Sequence, residues 1–204
     1  MKILMLVPFL PNTHMSGGQT RWYNIIKLLS KDHDITLFTL IKDESEKKFI
    51  PELEKYCKKV KVFTRSKSAW TLKNVLLAEF GFWPLVVIRN FSLRERKAVE
   101  KELSLHKYDL IHAEAFYVMP HIPPTDIPTI LVEQTIEFQV YKHYVDTEVP
   151  FFLKPFYFLD VVKLKYWEKY YWAKADQLVA VSAEDKLNMQ KLIPNIKVDI
   201  IPVS

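Results

Sequence analysis

Two glycines stand side by side at Gly17 and Gly18, in a chain of 204 residues that holds only three. Average usage is roughly 7%, so a paired placement asks for a reason. The pair follows the first apolar run, Ile3 to Val7, and leads into a helical pattern in which Trp22, Ile25, Ile26 and Leu29 recur at i, i+3, i+4 and i+7. Strand, loop, Gly-Gly and helix start together make a place for an anion. Glycine allows close backbone approach and positive φ. The unpaired N–H groups and the dipole of a first helical turn favour negative charge. The same pair could serve only as a tight turn. The G-x-G-x-x-G fingerprint of dinucleotide sites is absent.

A second set of reactive side chains follows the apolar run Thr129 to Val132. It reads Glu133-Gln134-Thr135, with Glu137 close behind. A carboxylate at a strand end could act as a base or bind hydroxyls. Acids in a first helical turn could equally compensate the dipole. His112 ends another apolar run and precedes Glu114, and His14 lies in the loop before Gly-Gly. Each histidine has a structural alternative. Asp32-His33-Asp34 resembles a metal-binding D-x-D, but it precedes a strand and so lies at the wrong end of a sheet. The motifs H-E-x-x-H, G-x-S-x-G and the P-loop are absent.

These groups need elements to carry them. Apolar runs at Ile3–Val7, Ile35–Leu40, Val60–Phe63, Leu110–His112, Thr129–Val132, Leu178–Val181 and Val198–Ile201 read as strands. Being near-continuous rather than alternating, they predict a parallel sheet covered on both faces. Helical patterns fall at 19–30, 44–57, 92–104, 136–145, 156–174 and 183–193, with Ser92/Glu95 and Ser182/Asp185 spaced as capping boxes. The rhythm predicts a doubly wound, mostly parallel, Rossmann-like α/β fold whose ligands lie beyond the carboxyl ends of the strands. Two segments break it. Residues 64–91 are mixed, with a short helix from Trp70 to Glu79 before Phe80-Gly81-Phe82-Trp83-Pro84. Residues 151–174 carry ten aromatics, five lysines and two acids. Such a helix can lie on an anionic bilayer or pack as a core helix whose lysines reach outwards.

Composition bounds the function. Hydrophobic residues make up 49% of the chain, enough for a large core, and the formal net charge is +5. The basic excess is lysine rather than arginine, which argues against direct base readout in DNA and suits anionic lipid or phosphorylated ligands. Cys57 stands alone, so neither an intrachain disulfide nor a zinc site is expected, and a reducing cytoplasm fits. No secretory signal and no spanning segment is legible. The chain closes on Ile200-Ile201-Pro202-Val203-Ser204 without a cap or tail, which reads as a cut between domains.

Seven segments in order resemble the N-terminal domain of a GT-B glycosyltransferase of the large retaining group 1 family (family 4). They are Lys2 to Pro8, the loop ending in Ser16-Gly17-Gly18 with its helix, Asp34 to Thr39, Tyr108 to His112, Ile127 to Glu137, Tyr166 to Ser182, and Ile200 to Val203. The resemblance implies sugar transfer from a nucleotide-sugar donor to a saccharide or lipid-linked acceptor, with retention and without a metal or cofactor. Residues 1–204 would form the acceptor-side domain, inactive without a C-terminal nucleotide-sugar domain. Gly17 and Gly18 would meet the donor diphosphate. Gln134 and Glu133 would stand at the reacting centre, and His14, Arg21, His112 and Glu137 on the acceptor side. Many relatives carry histidine at the position of Gln134. Glutamine cannot act as acid or base, but it can hydrogen-bond a sugar hydroxyl. The expected place is the cytoplasm, peripheral at the inner face of an anionic membrane, with no nucleic-acid partner. A free-standing phosphate- or nucleotide-binding module and a GT-B nucleotide-sugar epimerase are the alternatives.

Overall fold

A computed structural model describes residues 1–202, so Val203 of the closing segment lies outside the described residues. Among the described residues, seven strands form one sheet: β1 (Lys2–Val7), β2 (Asp34–Ile41), β3 (Lys59–Thr64), β4 (Leu110–Glu114), β5 (Thr129–Glu133), β6 (Gln177–Ala180) and β7 (Val198–Ile200). Their spatial order is β3-β2-β1-β4-β5-β6-β7 and every pairing is parallel. The expected doubly wound α/β fold is therefore present. Strand order reverses between β1 and β4, and in such sheets the crevice beyond the carboxyl ends at that reversal takes ligands.

The helices are α1 (Gly17–Leu29), α2 (Ile50–Leu53), α3 (Leu72–Phe80), α4 (Leu85–Asn90), α5 (Leu93–Leu105), α6 (Glu137–Thr147), α7 (Lys154–Lys174) and α8 (Ala183–Leu192). Strand alternation divides the core. Met5, Val7, Ile35 and Leu37 face Trp22 and Ile26 of α1, whereas Leu4, Leu6, Ile111, Ala113 and Leu131 face the side that holds Val99 of α5 and Trp172 of α7.

Several boundaries differ from the sequence reading. The single helix expected at 44–57 is a 3-10 segment, Glu44–Phe49, followed by the one-turn α2. Pro51 is the second residue of α2 and has no N–H with which to continue the preceding turns. The short helix expected from Trp70 to Glu79 is α3, and the apolar stretch that follows is cut at Gly81 and Pro84 before α4, which was not expected. The 3-10 segment Phe116–His121 was also not expected. At Ser92 the capping box is incomplete. The Ser92 hydroxyl accepts the Glu95 N–H, but the Glu95 carboxyl is buried beside His121, its Oε2 lying 3.4 Å from Nε2.

α7 has a buried face and exposed aromatics. Its acids, Asp160 and Glu168, point inwards with Val161, Leu164, Tyr171 and Trp172. Phe156, Val162 and Tyr166 are exposed on other faces, as are Phe151 and Phe152 just before the helix. Lysine stems also have local work. Lys163 donates to the carbonyls of Ala78 and Glu79 at the end of α3, and Lys165 lies 5.5 Å from the Phe138 ring. No helix among the described residues is long and apolar enough to cross a membrane.

Candidate functional site

The loop from β1 to α1 opens the carboxyl edge of the sheet. Asn12 fastens it by donating to the Leu10 carbonyl (3.0 Å) and accepting the His14 N–H (2.9 Å). Gln19 donates to the same Leu10 carbonyl at 2.8 Å. Ser16 is the N-cap of α1, and its hydroxyl accepts the Gln19 N–H, a contact worth about 1 kcal/mol. Gly17 and Gly18 are therefore the first two residues of the helix rather than a turn before it. Neither has positive φ, which corrects the conformational reason first given for them. What they supply is exposed backbone: their N–H groups lie in the first turn, where a helix has no internal acceptors. A Cβ on Gly17 would meet nothing within 4 Å, whereas one on Gly18 would stand 2.9 Å from Gln134 Oε1.

Gln134 and Glu133, taken together in the sequence reading, part company in space. Successive residues of a strand point to opposite faces. Gln134 turns to the α1 side beside Gly18, with its Nε2 shielded and lacking a protein acceptor among the described residues. Glu133 turns the other way and is buried. Its Oε1 accepts the Phe116 N–H and the Trp172 Nε1–H, both at 3.0 Å. Burial, followed by the neighbouring Glu168, pushes its carboxyl well above the usual range. Glu133 thus holds the chain after β4, where Ala115 has φ 69° and ψ 142°, a conformation costing on the order of 1–3 kcal/mol in a residue with a Cβ.

Arg21 and His112 are brought together by a residue the sequence showed only as a neighbour. Glu114 is fully buried at the end of β4 and shares a sheet face with His112, two positions back. Its carboxylate receives Trp22 Nε1–H at 2.8 Å, Arg21 Nη1 at 3.4 Å and His112 Nε2 at 2.9 Å. Arg21 and His112 are almost wholly covered, with side-chain exposures of 9% and 11%. They brace α1 against β4 through Glu114. His14 stands apart and is exposed, its ring stacked 5.9 Å from that of Phe49.

Glu137 begins α6 and is half-buried, and burial raises its pKa. α6 has no side-chain cap of its own. Glu168 of α7 supplies one, accepting the N–H groups of Glu137 (2.7 Å) and Phe138 (3.0 Å). Desolvation pushes Glu168 up to about 8, a larger effect than the lowering by those two bonds. Asp32-His33-Asp34 lies where β2 begins, at the amino edge, away from these groups.

Comparison with solved structures bears on this arrangement. The chain superposes over 97% of its length on a protein described as a UDP-N-acetylglucosamine 2-epimerase from Listeria monocytogenes, with TM-score 0.55 and 9% identity. It superposes over all of its length on UGT2 of Phytolacca americana, solved with UDP-2fluoro-glucose and pterostilbene, with TM-score 0.53 and 12% identity. The fold is GT-B-like. The chain spans 44% and 52% of the lengths of these two proteins, about half in each case. No family model matches the sequence, and no curated protein matches it. At these identities the likeness is one of fold.

Proposed function

We propose that this chain is the acceptor-side domain of a retaining glycosyltransferase that moves a sugar from a nucleotide-sugar to a saccharide or lipid-linked acceptor. The observation that carries the reading is the open N-terminus of α1. Gly17 and Gly18 present their N–H groups at the strand-order reversal, beside the uncommitted Gln134 amide. A diphosphate fits such a place because the N–H groups and helix dipole both favour its charge. The donor would be shared with a second, nucleotide-binding domain, so residues 1–204 alone would be inactive. Gln134 would hydrogen-bond a hydroxyl of the transferred sugar. Glu133 would act as a positioning residue, holding the chain after β4 in place. His14 and Glu137 would border the acceptor, with Arg21 and His112 positioning α1 through Glu114. The exposed aromatics of α7 and residues 151–152 would rest on an anionic membrane, among lysines that such a surface attracts.

The test is a nucleotide-sugar screen on the full-length gene product. Transfer or hydrolysis that conserves the anomeric configuration, followed by NMR, is expected, and inversion would refute the retaining assignment. One neighbour's description as a 2-epimerase supplies the second reading. It would appear in the same screen as an epimerised nucleotide-sugar with no acceptor product.

A further inference from the structure

Arginine is scarce in this chain, and most of the cationic groups near the sheet have work to do. Arg21 pairs with Glu114, and Arg96 donates to the Pro120 carbonyl at 2.6 Å. Arg65 and Arg89 differ. Both are half-buried, and Arg65 Nε and Nη1 and Arg89 Nε are shielded without a protein acceptor. Neither forms an ion pair among the described residues. Shielding a guanidinium without an acceptor is unfavourable, and a second cation beside it adds repulsion.

The two arginines are neighbours at the carboxyl edge. Arg65 directly follows β3 and its guanidinium lies 4.6 Å from the centre of the Phe9 ring, in the β1–α1 loop. Arg89 lies in the last turn of α4, and its carbonyl accepts the N–H of Ser66 at 3.3 Å. Burial first, then the charge of Arg89, lowers the pKa of Arg65. The acid that acts on Arg65 is Glu46, whose Oε1 is occupied by the N–H groups of Lys42 and Asp43.

Beside this pair lies an open cleft of about 790 Å³. Leu77, Phe82, Trp83 and Phe91 line it, with Arg89 and Lys73 as cationic wall residues. Of these, Phe82 is 88% exposed. Arg89 thus shares one cleft with apolar side chains, while Arg65 stands beside it, outside the lining.

We infer that Arg65 and Arg89 bind the phosphate of an amphiphilic phosphate ester whose apolar chain lies along the cleft beneath Leu77, Phe82 and Trp83. This deepens the acceptor-side reading and rests on it, naming an anionic lipid phosphate as the acceptor class. Guanidinium forks match phosphate oxygens bidentately, and a phosphate supplies the acceptors and the charge that the pair lacks. An apolar cleft with convergent polar groups at one end is the usual form of such a site.

The test is titration of the 204-residue chain with octyl phosphate below its micelle concentration, read by tryptophan fluorescence and calorimetry. Octyl glucoside and inorganic phosphate are the comparison ligands. Octyl phosphate is expected to bind at least tenfold more tightly than octyl glucoside, to weaken with salt, and to be displaced by inorganic phosphate. Arg65→Gln and Arg89→Gln should each weaken it about tenfold, and Phe82→Ser should weaken octyl phosphate without changing inorganic phosphate. Circular dichroism checks folding. Where a glutamine variant does not fold, Arg65→Lys and Arg89→Lys keep the charge but lose the fork, and should still weaken binding severalfold. Equal binding of octyl phosphate and octyl glucoside would overturn the inference, as would unchanged affinity in the folded arginine variants. The titration needs no donor. Tight octyl phosphate binding with no sugar transfer by the full-length gene product would remove the transferase reading and leave the arginine site. Transfer without octyl phosphate binding would remove only the site.

Discussion

Alanine at Gly17 and Gly18 separates the two reasons a glycine can have at a helix start. Neither residue needs positive φ, so alanine fits both backbones. Alanine in place of glycine in a compatible conformation stabilises by about 0.4–1 kcal/mol, mainly by restricting the unfolded chain. At Gly17 the new methyl meets open space, and Gly17→Ala should gain about 0.5 kcal/mol, or roughly 1–2 °C in a domain of this size. At Gly18 the methyl would stand 2.9 Å from Gln134 Oε1, inside van der Waals contact. The partner is the far end of a flexible side chain, which can turn aside at about 0.5–1.5 kcal/mol if driven off its rotamer. Gly18→Ala should thus be nearly neutral in stability. Its ligand binding should not be neutral. The methyl and the displaced amide together occupy the approach to the first-turn N–H groups. Each hydrogen bond to a charged oxygen is worth about 1.5–3 kcal/mol, so loss of one predicts a fall of about ten- to a hundredfold in affinity for inorganic pyrophosphate. Thermal melting and calorimetric titration of the wild type and both variants give the two readouts. Unchanged pyrophosphate affinity in Gly18→Ala would refute the phosphate site. A loss of more than 1 kcal/mol of stability in Gly17→Ala would refute the claim that its backbone is unstrained.

Gln134→Ala in the complete gene product should lower kcat/KM by an amount matching one neutral hydrogen bond, about 0.5–1.5 kcal/mol or some two- to twelvefold; no change would place the sugar contact elsewhere. Burial pushes Glu95 up to about 8 from 4.5, so the folded chain keeps a proton that the unfolded chain has released across that range, and stability falls as pH rises through it. His121, lowered to about 4 from 6.5 by burial, has the opposite slope only below 6.5. Melting measured from pH 6.5 to 8 should therefore decline, with Glu95→Gln removing a share of about 1.4 kcal/mol per pH unit; an identical slope in the variant would disprove its protonation in the fold. Ala115→Gly should stabilise by about 1 kcal/mol or more through relief of its φ of 69°, tested by denaturant titration, where a loss would count against the strain. Vesicles containing anionic lipid should co-sediment the chain at low salt, and Phe151→Ser with Phe152→Ser should reduce this severalfold; a wild-type chain left in the supernatant would remove the membrane contact.

Much of the fold was legible because the signals that make it are local. A strand covered on both faces must be apolar throughout, and all seven strands appear as such runs with boundaries within two residues. The run at Ile3–Val7, the helical spacing of Trp22 and Ile26, and the Ser16 cap each depend on a few adjacent residues. Where the reading failed, the deciding contact was distant in sequence. Nothing near Glu137 indicates that α6 is capped by Glu168, 31 positions away. The helix 44–57 was broken by Pro51, a local signal that its apolar periodicity masked.

Residue order alone places Gly17, Gly18, Glu133 and Gln134 just after apolar strands, and hence at one edge of a parallel sheet. Which side chains meet depends on packing between distant elements. Strand alternation set Gln134 beside Gly18 and sent Glu133 into the core against Trp172. It also turned Arg21 and His112 from open ligand groups into partners of a buried Glu114. The same holds for Arg65 and Arg89, 24 positions apart in the chain and joined only by the return of α4 to the end of β3. Chemistry at a site depends on what lies within a few ångströms of each polar atom and on how much water reaches it, and both are set by elements that the chain brings together from far apart.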